Sequence, residues 1–469
     1  MRNVVLIVVD TLRADHLGCY GYKRPTSPFL DELAAKSLVL DSCYSSSNFT
    51  APAFTSLFTA TYPSQHGILD FTSQAERSLI KSCLDENKVL AEGIVSFRFF
   101  QNLLARIWGQ LEAVTDTRSF DYSKDLPRAV SDSAIDWLEK NGGKGPFCLF
   151  LHYDGPHIPY RLPDDYAGVF DTVDPGSVDA DILNAFFPQH LERMDGGVED
   201  NPPIQQLRKI IRAINNRGRN VGETTKQWVV DKYDATIKYT DDMIARVYEA
   251  LGPLGLSDDT IVCVLSDHGE ELWDHGHFGH AGVHMYDEVI RTVGMVHDPA
   301  QPEGWRTDLP VSHVQILPSL LRLAGATQIP EPLSALDLGA ALARMDDGGP
   351  PAPVFCISTF KSVVRLDNMK WIHTLPNRHQ SLPKRLKLML RMLLLGRLKD
   401  ELYDLSADPK EKTNLAGERD RIRPLATLLE KHFEEAALGS DSFVGDAIPE
   451  LDDAEREKIE KELRDLGYL

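Results

Sequence analysis

Residues 4–10 of this 469-residue chain read Val-Val-Leu-Ile-Val-Val-Asp. An unbroken apolar and β-branched run of this length is typical of a strand that is buried on both faces of a parallel sheet. Residues 146–152 (Pro-Phe-Cys-Leu-Phe-Leu-His) and 260–266 (Thr-Ile-Val-Cys-Val-Leu-Ser) repeat the pattern. Apolar residues at helical spacing over 224–251 and 314–323 predict helices between and after such strands. The alternation predicts an α/β fold with a doubly wound sheet.

Each of these three strands ends in a polar cluster. Asp10 follows the first, Asp154 and His157 follow the second, and Asp267 and His268 follow the third. Ligands of open α/β sheets collect at the carboxyl ends of the strands, so these side chains are expected at one edge. Asp and His are ligands of zinc, manganese and similar ions. The pattern therefore predicts a divalent metal site at this edge of the sheet.

The loop after the third strand is unusually rich in histidine. Residues 273–280 read Trp-Asp-His-Gly-His-Phe-Gly-His, which is hard to explain by packing alone. A plain turn with solvated histidines is the alternative. His275, His277 and His284 are spare metal ligands, and the number of metal ions, one or two, stays open.

Thr50 precedes Pro52, whose fixed φ suits the start of a helix, so Thr50 is expected just before that helix. Anions bind at such positions, and a hydroxyl there can become a nucleophile when a metal ion lowers its pKa. A simple N-cap role is the alternative. With Asp10, Asp267 and His268, Thr50 would complete a set of four ligands around one ion.

His157 lies in a loop between prolines, where an imidazole could hold an ester oxygen or protonate a leaving group. A loop histidine whose hydrogen bonds are satisfied locally is the alternative.

Composition excludes some functions. The net charge of −20 argues against nucleic acid as the main partner, because proteins that bind nucleic acid carry a basic footprint.

The apolar run at residues 4–9 is too short for a secretory leader, and no stretch approaches the roughly 18 apolar residues of a membrane span. Six cysteines without a Cys-x-x-Cys pair suit buried free thiols. A cytoplasmic location is predicted.

The chain is longer than one hydrophobic core usually fills. A Gly- and Pro-rich linker at 346–351 predicts a catalytic domain over 1–345 and a small C-terminal α+β subdomain over 353–469. Residues 384–399 are basic and apolar. They predict either an amphipathic helix packed on the subdomain or a peripheral contact with a membrane surface. The oligomeric state stays open.

Five motifs, in order, resemble the sulfatase family of the alkaline phosphatase superfamily. They are residues 10–21 (Asp-Thr-Leu-Arg-Ala-Asp-His-Leu-Gly-Cys-Tyr-Gly), residues 57–67 (Leu-Phe-Thr-Ala-Thr-Tyr-Pro-Ser-Gln-His-Gly), Pro156-His157, Asp267-His268-Gly269 running on to Tyr286-Asp287-Glu288, and Glu401-Leu402-Tyr403-Asp404-Leu405 continuing to Asn414-Leu415. The resemblance implies a mixed α/β sheet flanked by helices, with a divalent ion (Zn, Mn or Ca) at the strand ends.

The resemblance also implies roles for single residues. Asp10, Asp267 and His268 match metal-binding positions, and Thr50 matches the position of the nucleophile. His157 and His280 match positions that bind the ester. The substrate would be a small-molecule, lipid or carbohydrate ester of phosphate or sulfate.

Two departures from the family pattern shift the expected chemistry. True sulfatases carry Cys or Ser, matured to formylglycine, in a Cys/Ser-x-Pro-x-Arg motif, whereas this chain has Thr50 and, for the Arg, Phe54. Threonine cannot become formylglycine, and Thr nucleophiles occur in relatives that cleave or transfer phosphoryl groups. A metal-dependent hydrolase or transferase of phosphodiesters or phosphomonoesters, with a covalent Thr50 intermediate, is therefore predicted. The alternatives are a sulfuric ester hydrolase and an inactive relative that binds an anion.

Overall fold

The computed structural model describes residues 1–71, 73–114, 125–187, 202–280, 284–301, 303–330, 352–374, 399–439 and 444–447. The strands in this part of the chain are β1 (Asn3–Val9), β2 (Leu38–Leu40), β3 (Cys43–Tyr44), β4 (Ser73–Ala75), β5 (Leu90–Val95), β6 (Gln110–Ala113), β7 (Phe147–Tyr153), β8 (Thr260–Ser266), β9 (Glu271–Leu272), β10 (Phe278–Gly279), β11 (Arg291–Thr292), β12 (Gly294–His297), β13 (Trp305–Thr307), β14 (Val311–Ser312), β15 (Val354–Ile357), β16 (Lys361–Leu366), β17 (Met369–Thr374), β18 (Glu401–Asp404) and β19 (Val444–Ala447).

The α-helices of the same ranges are α1 (Pro28–Ala34), α2 (Thr50–Thr59), α3 (Pro63–His66), α4 (Leu79–Glu86), α5 (Arg98–Leu104), α6 (Leu126–Asn141), α7 (Asp164–Ala167), α8 (Ala180–Phe186), α9 (Pro202–Arg217), α10 (Glu223–Ala250), α11 (Asp287–Ile290), α12 (Ile316–Leu323) and α13 (Arg419–Gly439). The helix predicted over 224–251 is α10. The one predicted over 314–323 is α12, preceded by a short 3-10 turn at His313–Gln315.

The central sheet has eight strands in the order β13-β2-β12-β8-β1-β7-β5-β6. The three strands predicted from the sequence, β1, β7 and β8, are neighbours, and β1 pairs in parallel with both of the others. β12 runs antiparallel to both of its neighbours. The sheet is therefore mixed and flanked by helices, and the predicted fold class is confirmed.

The core lies on both faces of this sheet. On β1, Val5 and Ile7 face the layer that contains α6 and α10, whereas Leu6 and Val8 face the layer that contains α2 and α12. All seven residues of β1 are buried, which explains why residues 4–9 are apolar at every position. Each such side chain contributes roughly 1.5–3 kcal/mol when it is removed from water, so the strand ends are held firmly in place.

A second, smaller sheet lies at the C-terminal side of the chain. Strands β15-β16-β17-β18 form an antiparallel sheet in that order, as predicted for a small α+β unit. One face packs against apolar residues around α11, and the other packs against α13. The fully buried ammonium of Lys370 joins the two units, since it lies 2.7 Å from Asp287 and 2.8 Å from Glu411. The domain limits 1–345 and 353–469 stay a prediction.

Two further expectations concern surfaces. Residues 346–351 and nearly all of 384–399 lie outside the described residues, so the linker and the basic apolar segment stay predictions. Within the described ranges, every helix is too short or too polar to cross a lipid bilayer. All six cysteines are free thiols, and five of them are buried, as expected.

Candidate active site

The ends of β1 and β8 bring three predicted metal ligands together. Asp10 follows β1, and its backbone N–H donates to the Tyr153 carbonyl at the end of β7, 2.9 Å away. Asp267 and His268 follow β8, and all three side chains are buried. His268 Nε2 lies 3.3 Å from Asp267 Oδ2 and 3.9 Å from Asp10 Oδ1. One ligand atom from each residue falls within 4.8 Å of the others, so the predicted trio is a real cluster.

Thr50 completes this group from a neighbouring helix. Its Oγ1 lies 3.2 Å from His268 Nε2. Thr50 is the first residue of α2, not the residue before it as the sequence suggested, because Phe49 still has extended backbone angles and forms the N-cap. The alternative reading of Thr50 as a side-chain N-cap is therefore wrong. At the first helical position, the hydroxyl lies beside the first-turn N–H groups and the positive end of the helix dipole.

The orientation of His268 suits a metal ligand. Its Nδ1 lies 3.0 Å from the Gly269 carbonyl oxygen, so the Nδ1–H donates there and Nε2 presents a lone pair to the cluster. Metal-binding histidines are normally held by such a hydrogen bond from the other ring nitrogen. Burial lowers the pKa of His268, but the charges of Asp267 and Asp10 outweigh it and leave the pKa above the ordinary value.

The two carboxylates supply a direct test of whether a cation fits. Asp10 Oδ1 and Asp267 Oδ2 are buried and accept no hydrogen bond from any described residue. Burial, and then the charge of Asp267, raise the pKa of Asp10 well above its usual range. Two buried, adjacent carboxylates are unfavourable unless a cation compensates them. Asp10, Thr50, Asp267 and His268 therefore fit a divalent ion.

The two predicted ester-binding histidines lie beside this cluster. The ring of His280 is 4.4 Å from that of His268 and 5.3 Å from that of His157, measured between centroids. His157 Nδ1 lies 2.5 Å from the Ile158 carbonyl oxygen. Burial lowers the pKa of His157 to about 3. Burial, and then the nearby His268, lower the pKa of His280 well below its usual value.

Two residues near the site were missed by the sequence analysis. Glu270 Oε1 lies 3.0 Å from His280 Nδ1 and holds that ring, while burial raises the pKa of Glu270 to about 7. His152, at the end of β7, is fully buried with its Nε2 3.6 Å from Asp10 Oδ2. Burial lowers the pKa of His152 to about 4. The signal for Glu270 was its place directly after the Asp-His-Gly motif.

Phe54 replaces the arginine of the family motif, and the structure shows where it goes. It is fully buried, and its ring packs against Phe58, Phe100 and Phe150 in the core below α2. This position therefore supplies packing to the sheet layer and no charge to the site.

The spare histidines of the loop separate into two places. His277 and His284 lie together, with ring centroids 4.3 Å apart, beside Glu271. His275 instead stacks on Tyr286 at 3.5 Å and faces Glu288. The alternative of a solvated turn does not fit, because His275 and His284 are largely buried.

Comparisons with known proteins identify the family of the chain. A family model described as Sulfatase matches residues 2–326. Human iduronate 2-sulfatase is 26% identical over 375 residues, which cover 70% of this chain and 65% of the human protein. The chain thus matches somewhat less than two thirds of that relative's length.

Two solved structures share the fold. One is a protein in complex with its substrate D-glucosamine-2-N,6-O-disulfate, with a TM-score of 0.69, 19% identity and coverage of 96% of this chain and 99% of that one. The other is the phosphonate monoester hydrolase of Agrobacterium radiobacter, with a TM-score of 0.63, 16% identity and coverage of 94% and 96%. By its family match, its fold and its motifs, the chain belongs to the sulfatase family of the alkaline phosphatase superfamily.

Proposed function

We propose that this chain is a metal-dependent hydrolase or transferase of phosphate esters that acts through a covalent intermediate on Thr50. The observation that carries the proposal is the position of the Thr50 hydroxyl. It lies 3.2 Å from His268 Nε2, within a cluster whose buried Asp10 and Asp267 oxygens lack hydrogen-bond partners among the described residues. A threonine that served only the helix would cap it, and this one does not.

Asp10, Asp267, His268 and Thr50 would hold the divalent ion. When bound, the ion would lower the pKa of the Thr50 hydroxyl and offset negative charge on the ester. Because one donor is an imidazole nitrogen, the set suits zinc or manganese better than calcium, which prefers oxygen ligands throughout.

The first displacement uses Thr50 as the nucleophile. As its hydroxyl passes its proton to the neutral imidazole of His157 or His280, Oγ1 forms a bond to phosphorus, and the bond from phosphorus to the leaving oxygen breaks. The same histidine then passes this proton to the leaving oxygen, which departs as an alcohol. The first-turn N–H groups of α2 offset charge on the non-bridging oxygens, and one such contact typically contributes about 2.7–4 kcal/mol to the transition state.

The second displacement restores the enzyme. A water molecule or an acceptor alcohol attacks phosphorus from the opposite side, and a histidine accepts the proton of the attacking hydroxyl. The bond between phosphorus and Thr50 Oγ1 breaks, and the histidine passes the proton it accepted to Thr50 Oγ1. Water as the acceptor gives a hydrolase, and an alcohol gives a transferase.

A sulfuric ester hydrolase is the second candidate, because relatives bear sulfatase names and one neighbour in the fold is bound to a sulfated glucosamine. The fold accommodates both chemistries, since a phosphonate monoester hydrolase shares it. Thr50 favours phosphorus, because threonine cannot mature to formylglycine. A carbohydrate, lipid or other small-molecule ester is the proposed substrate class.

The test is a parallel assay of the metal-loaded full chain with p-nitrophenyl sulfate, p-nitrophenyl phosphate and bis-p-nitrophenyl phosphate. Thr50→Ala should lose turnover by about 10³-fold or more, whereas Thr50→Ser keeps the hydroxyl and should retain much of it. Phosphate turnover that depends on Thr50 supports the proposal. Turnover of the sulfate alone would favour the second candidate, and metal binding without turnover would indicate an inactive, anion-binding relative.

A further inference from the structure

We propose that Glu271, His277 and His284 form a second metal site, which binds a divalent transition-metal ion and fixes the loop that carries His280. These three residues form the hairpin cluster, so named because Glu271 lies in β9 and His277 directly precedes β10, the strand that pairs with β9. The first cluster (Asp10, Thr50, Asp267 and His268) shares none of these ligands and is called the Thr50 cluster.

The ligand atoms have the spacing that a metal ion requires. Glu271 Oε2 lies 3.3 Å from His284 Nδ1, and Glu271 Oε1 lies 3.8 Å from His277 Nδ1. One ligand atom from each residue falls within 4.8 Å of the others. Tetrahedral zinc with bonds of 2.0–2.1 Å separates its ligand atoms by about 3.3 Å. Small side-chain rotations would therefore bring all three donors onto one ion.

The charge of Glu271 also calls for a cation. Its side chain is fully buried. Oε1 accepts the backbone N–H groups of His275 and His277, at 2.8 and 3.0 Å, whereas Oε2 accepts no hydrogen bond from the described residues. A buried carboxylate with one oxygen left over is costly unless it is paired or bound to a metal. Burial raises the pKa of Glu271 to about 7, in keeping with this cost.

The ligand types narrow the ion. One carboxylate and two imidazoles suit zinc, iron or manganese. They do not suit calcium or magnesium, which prefer oxygen ligands throughout. The side chain of His277 is 31% exposed, so water can reach the remaining coordination position. Three protein ligands plus water is an ordinary coordination for zinc.

The hairpin cluster adjoins the active site through consecutive residues of the chain. Glu270 holds His280, while the next residue, Glu271, belongs to the hairpin cluster. Because Glu270 and Glu271 are consecutive, an ion on Glu271 would restrain the backbone that carries Glu270. Asn48 Nδ2 donates to the carbonyl oxygens of both His280 and His284, at 3.3 and 3.0 Å. The second ion would thus position His280 without touching the ester.

Metal content of the full chain tests the site independently of any substrate. The chain is stripped with a chelator, loaded with zinc, desalted and analysed for zinc per chain. The double variant His277→Gln/His284→Gln should hold one zinc fewer than the wild type, and Glu271→Gln should bind the second zinc at least about 10-fold more weakly. His275→Gln is the matched control on the same hairpin, and it should hold as many zinc ions as the wild type.

Cobalt titration supplies a second measurement. The d–d absorption of the wild type should rise through two equivalents, and that of the double variant through one. Equal metal content in the wild type and the double variant, or saturation of the wild type at one equivalent, would overturn the second site. Melting of the metal-free chains checks folding, and equal melting temperatures assign the lost zinc to the lost ligands. Loss of the same zinc ion in the control variant His275→Gln would also overturn the assignment to His277 and His284.

Discussion

The two clusters lie within one stretch of loop but rest on different supports. Asp10, Asp267 and His268 follow strands that are buried on both faces of the central sheet, whereas Glu271 and His277 lie on a hairpin of two-residue strands. The first support positions its carboxylates whether or not an ion is bound. The second has few backbone hydrogen bonds of its own, so we propose that its ion contributes much of its order.

This difference teaches how chemistry and scaffold are divided. Carboxylates at the ends of long buried strands can be held close together, because the stability of the packed core offsets their electrostatic repulsion. A short hairpin cannot force like charges together, and the hairpin cluster accordingly has a single carboxylate. The Thr50 cluster should therefore govern turnover, and the hairpin cluster should govern the order of the loop.

The largest expected effect separates the clusters by turnover. Asp267→Asn keeps an oxygen for the backbone N–H groups of Thr11 and His268, which Asp267 Oδ1 accepts at 3.1 and 2.8 Å, but removes the charge that faces the ion. We expect kcat for the best ester to fall by about 10²–10³-fold. His277→Gln should lower kcat by less than about 10-fold. Equal losses in the two variants would show that the clusters act as one site.

A smaller effect is expected from the neighbouring glutamates. Glu270→Gln removes the charge that orients His280, so kcat should fall by about 10-fold while the melting temperature of the zinc-loaded chain stays near that of the wild type. Glu271→Gln should lower the melting temperature only when zinc is present, and its loss of kcat should be smaller than that of Glu270→Gln, because it acts on His280 only through the loop. Equal losses of kcat with no difference in melting temperature would contradict this separation of roles. Glu270→Asp, which keeps the charge, is the rescue control.

The smallest effect concerns acid, which would release metal from both clusters because their histidines would protonate. Part of the acid sensitivity should come from elsewhere. His432 on α13 lies 2.7 Å from the Ser64 hydroxyl of α3, and burial lowers the pKa of His432 to about 4. The unfolded chain, with an ordinary pKa near 6.5, then binds more protons, so stability falls as the pH drops below about 6.5.

For His432 alone, this linkage amounts to about 1 kcal/mol between pH 7 and 5.5. Urea unfolding of the metal-free chain at both pH values measures it, and His432→Gln should show a pH dependence smaller by that amount. An unchanged pH dependence in the variant would assign the acid sensitivity to other groups. Subtracting the His432 contribution from the total acid sensitivity leaves the part that belongs to the two clusters.

Much of the Thr50 cluster was predictable from the sequence. Unbroken apolar runs encode strands buried on both faces, and parallel strands end at one edge, so Asp10, Asp267 and His268 had to meet once the runs were recognised. Thr50 could be placed within one residue, because Pro52 marks a helix start. The helix begins one residue earlier than predicted, since only the three-dimensional course of the chain fixes the backbone of Phe49.

Other features needed the tertiary structure. The sequence identified His277 and His284 as spare ligands. No periodic pattern in the sequence predicts that they contact Glu271, or that Glu270 contacts His280. Which side each of two adjacent glutamates faces depends on the pairing of β9 with β10 and on the return of the chain at His284. The sequence by itself thus determined the sheet and the edge where the Thr50 cluster lies, because burial repeats along the chain. Only the tertiary structure decided the hairpin cluster, because its contacts join loop residues whose directions are set by distant packing.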